Sequence, residues 1–320
     1  MARRVRVSTI AYDPPKGSKN HVEEARYRMV SLADEAARAK PDIICFPEVS
    51  TTFGLSCEAS MKEAEPVPGP TTDLLGAKAK EHNMYIVCPL IERCNGIYFN
   101  SAVLIGRRGE IVGVYHKYYP TVLEIESGIT PGTEFTVLDT DIGRVGLSIC
   151  FDLNFYDVAD GLAEKEAEIV FWPSMYQGGF QHVVWATQYG MYMVSSYRGY
   201  SAIYDLTGVV LAETGYTFEA VAKGSIPPIA SAEINMDRKL LHLDFNKEKF
   251  GAMTRKYGPK ITIDILEPED IFALGSEMDD VSVDDLIREF NLEHRSDYFE
   301  RSKKARREAL ARAEYAPAVS

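Results

Sequence analysis

The order of predicted strands and helices restricts the fold of this chain most, because the same order occurs twice. Alternating apolar and polar residues predict strands, and apolar residues three or four positions apart predict helices. The first half reads βαβαβββ, with elements at residues 4–11, 19–40, 42–46, 71–83, 84–91, 98–105 and 110–116. The second half reads βαβαβββ again, at residues 144–150, 157–167, 168–172, 181–191, 192–197, 201–205 and 209–213. No residue-level repeat accompanies this order, so the duplication is architectural.

This pattern predicts an α/β protein built from two layered βα units. A sheet with helices on one face must also cover its other face, so we expect the two sheets to pack against each other with helices outside. Since the two units cover each other's sheets, we predict a single domain over residues 1–236.

The chain changes character beyond about Met236. Charged and apolar residues are mixed there, with an acidic stretch at 267–285 and a predicted helix at 296–314. We predict that residues 237–320 form a C-terminal extension, and the mixture suits an arm packed on a partner subunit better than a core. A charged helical tail on the same monomer fits the periodicity equally well.

Composition limits the class of partner. The formal net charge is -12, which argues against nucleic acid, because a phosphate backbone needs a basic surface. No window approaches the run of about 18 apolar residues that spans a bilayer, and no apolar run follows the N-terminal arginines, so we expect no membrane contact and a cytoplasmic location. Five cysteines without a CxxC pair and six histidines without ligand spacing predict reduced thiols, no metal and no cofactor. The expected partners are small molecules.

Three polar residues follow predicted strands: Glu48 after 42–46, Lys117 after 110–116, and Cys150 at the end of 144–150. Ligands of layered α/β proteins bind in the crevice outside the carboxyl ends of strands. A thiol there can attack a carbonyl carbon, and a carboxylate can act as its base. The ammonium of Lys117 can hold the negative oxygen of the intermediate, aided by the backbone amide of Phe151.

Each of these residues alone is weak evidence for catalysis. A cysteine at the end of an apolar strand is more often a small buried apolar side chain than a nucleophile. A charged residue where a strand meets a loop is usually solvated. Only the combination of the three indicates an acyl-transfer site.

Short segments in a fixed order give the chain a family resemblance over roughly residues 4–236. The segments are Phe46-Pro47-Glu48, Tyr98-Phe99-Asn100-Ser101-Ala102, Gly109-Glu110-Ile111 with Tyr115-His116-Lys117, and Cys150-Phe151-Asp152. In these residues the chain resembles the nitrilase superfamily of carbon-nitrogen hydrolases. The resemblance implies a four-layer αββα sandwich that pairs into homodimers or larger homo-oligomers, often with a C-terminal arm in the dimer contact.

The resemblance also implies roles for individual residues. Glu48 is implied as the base, Lys117 as the group that stabilises the intermediate, and Cys150 as the nucleophile. Many members carry a second glutamate after the lysine, and Glu124 stands at matching spacing. Glu126 is close enough in sequence to be the competing assignment.

The resemblance favours an amide as the substrate, although it points in two directions. Pro120, Thr121 and Glu124 look like nitrilases, whereas Phe151 and Asp152 look like the amidase branches. Related amidases often continue with an arginine and a Pro-Glu pair, and this chain has other residues at those places, namely Asn154, Tyr156 and Asp157. This difference weakens the case for a substrate carboxylate bound by that arginine.

The residues implied to line the pocket are mostly apolar: Phe53, Phe151, Trp172, Met175 and Tyr176. They suit a small or medium neutral carboxamide, although an aromatic cluster is more often core. Arg198 could still bind an anionic group. The alternatives are a nitrilase, an N-carbamoyl compound amidohydrolase, or a catalytically silent member that serves in an assembly.

Overall fold

The computed structural model describes residues 3–12, 20–215 and 227–312. The chain divides into two compact units, residues 4–236 and residues 237–320 together with the first three residues. Three positions of the predicted helices, residues 19, 313 and 314, lie outside the described part of the chain.

The unit at residues 4–236 contains two six-stranded sheets. In chain order the strands are β1 Arg4–Ile10, β2 Ile43–Cys45, β3 Tyr85–Cys94, β4 Ile97–Ile105, β5 Ile111–His116, β6 Thr136–Thr140, β7 Gly143–Leu147, β8 Ile169–Ser174, β9 Tyr192–Tyr197, β10 Ser201–Tyr204, β11 Val210–Thr214 and β12 Ile229–Asn235. The first sheet has the order β12-β1-β2-β3-β4-β5, and the second has the order β11-β10-β9-β8-β7-β6. In each sheet three neighbouring strands are parallel, β1 to β3 and β7 to β9, and the other pairings are antiparallel.

Helices α1 His21–Ala36 and α3 Pro70–His82 cover the outer face of the first sheet, and α5 Tyr156–Glu164 and α6 Gln181–Tyr189 cover that of the second. Two short helices, α2 Cys57–Lys62 and α4 Val122–Glu126, contribute to the cavity described below. The apolar residues of α1 recur at helical spacing, so Met29 and Leu32 pack with Leu75 of α3 on the first sheet. Helices α5 and α6 pack on the second sheet in the same way.

The inner faces of the two sheets meet. Thr9 Oγ1 of β1 donates to the carbonyl of Ser195 in β9 (2.6 Å), and Ser196 Oγ donates to the carbonyl of Cys45 in β2 (3.0 Å). These hydrogen bonds join the two sheets at the end where the catalytic candidates follow the strands. The predicted four-layer αββα sandwich is therefore confirmed.

Several elements differ from the sequence prediction. The short helices α2 and α4 and the strands β6 and β12 were not predicted. Strand β6 pairs with β7 in the second sheet, and β12 pairs with β1 in the first. The predicted strand at 144–150 ends at Leu147 instead, because the backbone turns into a 3₁₀ helix at Cys150–Asn154. The hairpin turn predicted at Asn95-Gly96 is present, with both residues at the positive φ that such turns require.

The C-terminal unit has a small sheet and a core of its own. Its strands are β13 Arg238–His242, β14 Ile261–Leu266 and β15 Ile271–Ser276, in the antiparallel order β13-β15-β14, and its helices are α7 Phe250–Tyr257, α8 Val283–Glu289 and α9 Arg295–Arg312. Leu241, Met253, Phe272 and Leu286 are buried together. Apolar residues on one face of the sheet meet those of α7 and α8, so this segment has a core, and its contact with a partner subunit stays a prediction.

None of the helices in residues 3–12, 20–215 and 227–312 combines the length and the apolar character that a membrane crossing needs.

Candidate active site

Three strand ends bring the predicted catalytic residues together. Glu48 lies three residues after β2, and Lys117 comes directly after β5, so both belong to the first sheet. Cys150 follows β7 of the second sheet. Lys117 Nζ donates to Oε1 of Glu48 at 2.8 Å, and both side chains are almost fully buried. The facing sheets thus supply the carboxylate and the ammonium from one side and the thiol from the other.

Glu124 joins this group from the first turn of α4. Lys117 Nζ donates to its Oε1 at 3.0 Å and to its Oε2 at 2.8 Å. Thr121 caps the helix, and its backbone N–H donates to Glu124 Oε2 at 2.7 Å, which fixes the direction of the carboxylate. Glu126, the competing assignment, is exposed on the same short helix.

Asn100 links the two glutamates. Its Nδ2 donates to Oε1 of Glu48 and to Oε1 of Glu124, each at 2.8 Å, and its side chain is buried. Its backbone carbonyl also accepts the N–H of Lys117 at 2.8 Å. One amide therefore holds both carboxylates on the same lysine. The sequence offered one signal for it, a polar side chain within the apolar strand β4.

The backbone at the site adopts unusual conformations. Cys150 has φ 48° and Val49, next to Glu48, has φ 44°, in the left-handed region that non-glycine residues avoid. The indole N–H of Trp172 donates to the carbonyl of Cys150 at 2.9 Å, so a buried contact holds the turn that carries the thiol. Strain of this kind concentrates at functional sites.

The charges around the thiol favour its protonated form. Burial raises the pKa of the Cys150 thiol, the Glu48 carboxylate raises it further, and the positive charge of Lys117 only partly offsets them. Within the described part of the chain, Oε2 of Glu48 is buried without a hydrogen bond of good geometry. This oxygen is therefore available to take the thiol proton.

The two other charged groups stay ionised. Burial disfavours the ammonium of Lys117, but the negative charges of Glu48 and Glu124 outweigh this effect and raise its pKa. Burial also opposes ionisation of Glu124, yet Lys117 and the hydrogen bonds from Thr121 and Asn100 lower its pKa. At neutral pH the Lys117 ammonium thus lies between Glu48 and Glu124, which accept its hydrogen bonds.

A cavity of about 340 Å³ opens onto this group, within the range of small-molecule sites. Glu48, Asn100, Lys117, Glu124 and Cys150 all belong to its lining. The other lining residues are mostly apolar: Val49, Thr52, Phe53, Gly54, Leu55, Cys57, Ser60, Met61, Ile91, Thr121, Leu123, Ile129 and Met175.

Residues 6–235 match the family model described as carbon-nitrogen hydrolase. The chain belongs to this family. A bifunctional nitrilase/nitrile hydratase of Lupinus angustifolius is 29% identical over 60% of this chain and 59% of its own length. An omega-amidase of Homo sapiens is 28% identical over 47% of this chain and 57% of its own length. A carbon-nitrogen hydrolase structure from Helicobacter pylori G27 superposes with a TM-score of 0.61, at 19% identity, over 80% of this chain and 94% of that one.

The five predicted pocket residues divide into two groups. Phe53 and Met175 line the cavity, but Phe151, Trp172 and Tyr176 are not in its lining. Trp172 points instead into the helix layer, where its ring meets Tyr176 edge-on with centroids 5.2 Å apart. Phe151 packs edge-on against Phe155, also at 5.2 Å.

Arg198 lies beside the pocket of this family member and is not in its lining. Its guanidinium sits over the ring of Phe53, 4.6 Å from the centroid. Since Phe53 forms part of the cavity lining, the cation lies behind an aromatic wall residue. Cation–π contact of this kind orients the ring.

The sequence did not indicate the cavity wall formed by α2. Cys57, Ser60 and Met61 come from this short helix, and Ile91 and Ile129 pack with Met61 in a small apolar cluster. A helix of six residues leaves too few apolar positions for a periodic signal. These residues line the same cavity as Glu48, Lys117 and Cys150.

Proposed function

We propose that this protein hydrolyses a small neutral carboxamide to a carboxylic acid and ammonia through a thioester on Cys150. The observation that carries the proposal is the contact of Lys117 with both Glu48 and Glu124, in the lining of a cavity that also includes Cys150. A base, a cation and a thiol around one apolar cavity are the groups that such a reaction needs.

In the first half-reaction, Sγ of Cys150 attacks the carbonyl carbon while Glu48 takes the thiol proton. Because burial and the Glu48 charge keep the pKa of the thiol high, the proton leaves during the attack and not before it. Lys117 stabilises the negative oxygen of the tetrahedral intermediate. Glu48 then returns the proton to the nitrogen, the carbon–nitrogen bond breaks, and ammonia leaves.

In the second half-reaction, water attacks the thioester. Glu48 takes a proton from the water, and Lys117 again stabilises the negative oxygen. The carbon–sulfur bond breaks, the acid leaves, and the Cys150 sulfur takes the proton back from Glu48. Glu124 and Asn100 keep Lys117 and Glu48 oriented through both steps, as their hydrogen bonds suggest.

The cavity lining supports an uncharged substrate with an apolar acyl group. Beyond the catalytic group its wall is built mainly from apolar side chains such as Phe53, Met61, Leu123 and Met175. Among the described lining residues Lys117 is the one lysine, and it already contacts two carboxylates. From these described residues, a substrate carboxylate would therefore lose its hydration without gaining a free cation.

The test measures ammonia release from matched sets of an amide, a nitrile and an N-carbamoyl compound that share one apolar group. We expect the amide to react at least about tenfold faster than its nitrile, which is within the discrimination a pocket can achieve. Cys150→Ala serves as the blank. Ammonia from none of the compounds would favour a catalytically silent assembly protein, and a preference for the N-carbamoyl compound would identify that amidohydrolase class.

A nitrilase is the second candidate. Its support is the 29% identity with a bifunctional nitrilase/nitrile hydratase. A nitrile would use the same thiol and lysine, but its nitrogen must accept protons before a thioester can form. Faster turnover of the nitrile in the matched assay would replace the amide proposal with this one.

We also propose that residues 237–320 take part in contacts between identical subunits. Helix α9 has seven arginine and lysine residues against three acidic ones and no buried residue, in a chain whose net charge is -12. A second copy therefore offers an acidic surface that complements this helix. Arg306→Glu with Arg307→Glu should reduce the molar mass in light scattering at low salt, whereas the exposed pair Lys62→Glu with Arg108→Glu should not. An unchanged mass for both pairs would contradict the proposal.

A further inference from the structure

Asp152 is a fully buried carboxylate two residues after Cys150. Its Oδ2 accepts the backbone N–H of Ile149 and the hydroxyl of Tyr115, each at 2.8 Å. Its Oδ1 accepts the backbone N–H of Tyr119 at 2.8 Å. Three donors from two separate parts of the chain thus converge on one side chain.

Two of these donors flank Lys117. Tyr115 precedes the lysine by two residues and Tyr119 follows it by two. The hydroxyl of Tyr115 also accepts the backbone N–H of Tyr118 at 3.1 Å, so Asp152 and Tyr115 together hold the segment on both sides of Lys117.

The third donor belongs to the turn that carries the thiol. Ile149 precedes Cys150, and the backbone N–H of Asp152 donates back to the Ile149 carbonyl at 3.0 Å. Cys150 between them has φ 48°. A closed pair of hydrogen bonds around a left-handed residue fixes the direction in which its side chain leaves the backbone.

We propose that Asp152 is a positioning residue that sets the geometry of Cys150 relative to Lys117. This inference rests on the proposed function, because it concerns the same thiol and lysine. The two catalytic residues follow strands of different sheets, and Asp152 is a direct side-chain link between the turn of one and the segment of the other. The carboxylate does not touch the cavity lining, so its effect on turnover passes through those two residues.

An ionised carboxylate accepts from all three donors without a proton of its own that would need a further acceptor. Burial raises the pKa of Asp152 to about 6, against the backbone N–H groups of Ile149 and Tyr119, which favour the ionised form. At neutral pH it is therefore ionised. In Asp152→Asn, the amide oxygen can replace Oδ2, but the NH₂ group then faces the N–H of Tyr119. The variant should keep the thiol turn and release the lysine segment.

The experiment compares Asp152→Asn, Tyr115→Phe and the double variant on the preferred amide. We expect kcat to fall by about a hundredfold in Asp152→Asn and by about tenfold in Tyr115→Phe, with KM within about threefold of the wild type. The kcat of the double variant should be at most about threefold lower than that of Asp152→Asn, because both side chains belong to one network. The rate of Cys150 alkylation by iodoacetamide is measured in parallel.

Asp205 supplies the matched control. It is also a buried aspartate, and it accepts the backbone N–H of Thr207 at 3.2 Å in the turn between β10 and β11. Asp205→Asn should lower the melting temperature and leave kcat of the folded protein near the wild-type value. An equal loss of kcat in this variant would show that Asp152 acts only through stability and would overturn the proposal.

Wild-type kcat in folded Asp152→Asn would also overturn it. If that variant does not fold, Tyr115→Phe decides, since it removes a single hydroxyl; unchanged kcat there would refute the network. The proposed function can fail separately, when the wild type turns over no amide. The alkylation rate of Cys150 then still tests the positioning without a substrate, because a displaced Lys117 no longer lowers the pKa of the thiol and alkylation should slow. An unchanged rate in Asp152→Asn would contradict the proposal.

Discussion

The two halves of residues 4–236 share a strand order but contribute unequally to the candidate site. In β1–β5 and in β7–β11, three parallel strands are followed by two antiparallel ones, and an added strand pairs antiparallel with the first of each set. The first half and the segment after it supply Glu48, Asn100, Lys117 and Glu124. The second half supplies Cys150.

Equivalent strand ends show the difference directly. Strand β2 is followed by Glu48, but its counterpart β8 is followed by Met175, an apolar part of the cavity wall. Strand β7 is followed by Cys150, whereas its counterpart β1 is followed by the buried Ala11 and Tyr12. Both halves offer the same crevice, and only the residue types at the strand ends decide what chemistry each can do. At the strand ends themselves, the carboxylate of Glu48 comes from the first half and the thiol of Cys150 from the second.

The largest effect should come from the proposed nucleophile, which the second half supplies. Cys150→Ala should lower amide turnover by at least about a thousandfold, since no thioester can form without the sulfur. Circular dichroism and molar mass should stay as in the wild type, because the side chain is small and lies after the end of β7. The exposed Cys94 gives the control, Cys94→Ala. Appreciable turnover by the Cys150 variant would require another nucleophile and would remove the second half from the chemistry.

A smaller effect should come from Glu124, which supports the lysine of the first half. Glu124→Gln removes its charge and Glu124→Asp shortens its reach, so each should lower kcat by about a hundredfold through misplacement of Lys117. Glu126→Gln on the same helix is the control, and it should change kcat by less than about twofold, since the Glu126 side chain is exposed. Steady-state kinetics on one amide compares the three. An exchange of these outcomes between the two glutamates would assign the supporting role to Glu126.

The strand order and the strand-end candidates were predictable because both are local properties of the sequence. Periodicity identifies a strand, and the residue that follows it can be read directly. The contacts of Asn100 could not be predicted from such local patterns. It lies in one of the segments that suggested the family, but its hydrogen bond to Glu48 spans 52 residues of sequence, and no local pattern encodes that contact.

The pocket prediction differs from the observed lining at three of its five residues, for a different reason. Trp172 lies on β8, and successive side chains of a strand point to opposite faces of the sheet. A shift of one residue along the strand therefore decides whether a side chain faces the cavity or the helix layer, and the resemblance did not fix that position. The positive φ of Val49 and Cys150 was equally hidden, since neither residue is glycine.

The last prediction tests whether the base of one half activates the thiol of the other. Cys150 and Cys57 line the same cavity, so a small reagent such as iodoacetamide reaches both through one opening. Glu48 can accept the Cys150 proton as the sulfur attacks, so Cys150 should be alkylated at least about tenfold faster than Cys57 at neutral pH, a low figure for a positioned base. Peptide mapping after substoichiometric labelling gives the ratio.

In Glu48→Gln the sign of the pH effect follows from the charge. The Glu48 carboxylate is one cause of the raised thiol pKa, so its removal should shift the midpoint of Cys150 alkylation to lower pH while amide turnover is lost. Faster labelling of Cys57 in the wild type, or a midpoint that moves to higher pH in the variant, would mean that Glu48 does not take the proton of Cys150, although both residues line one cavity.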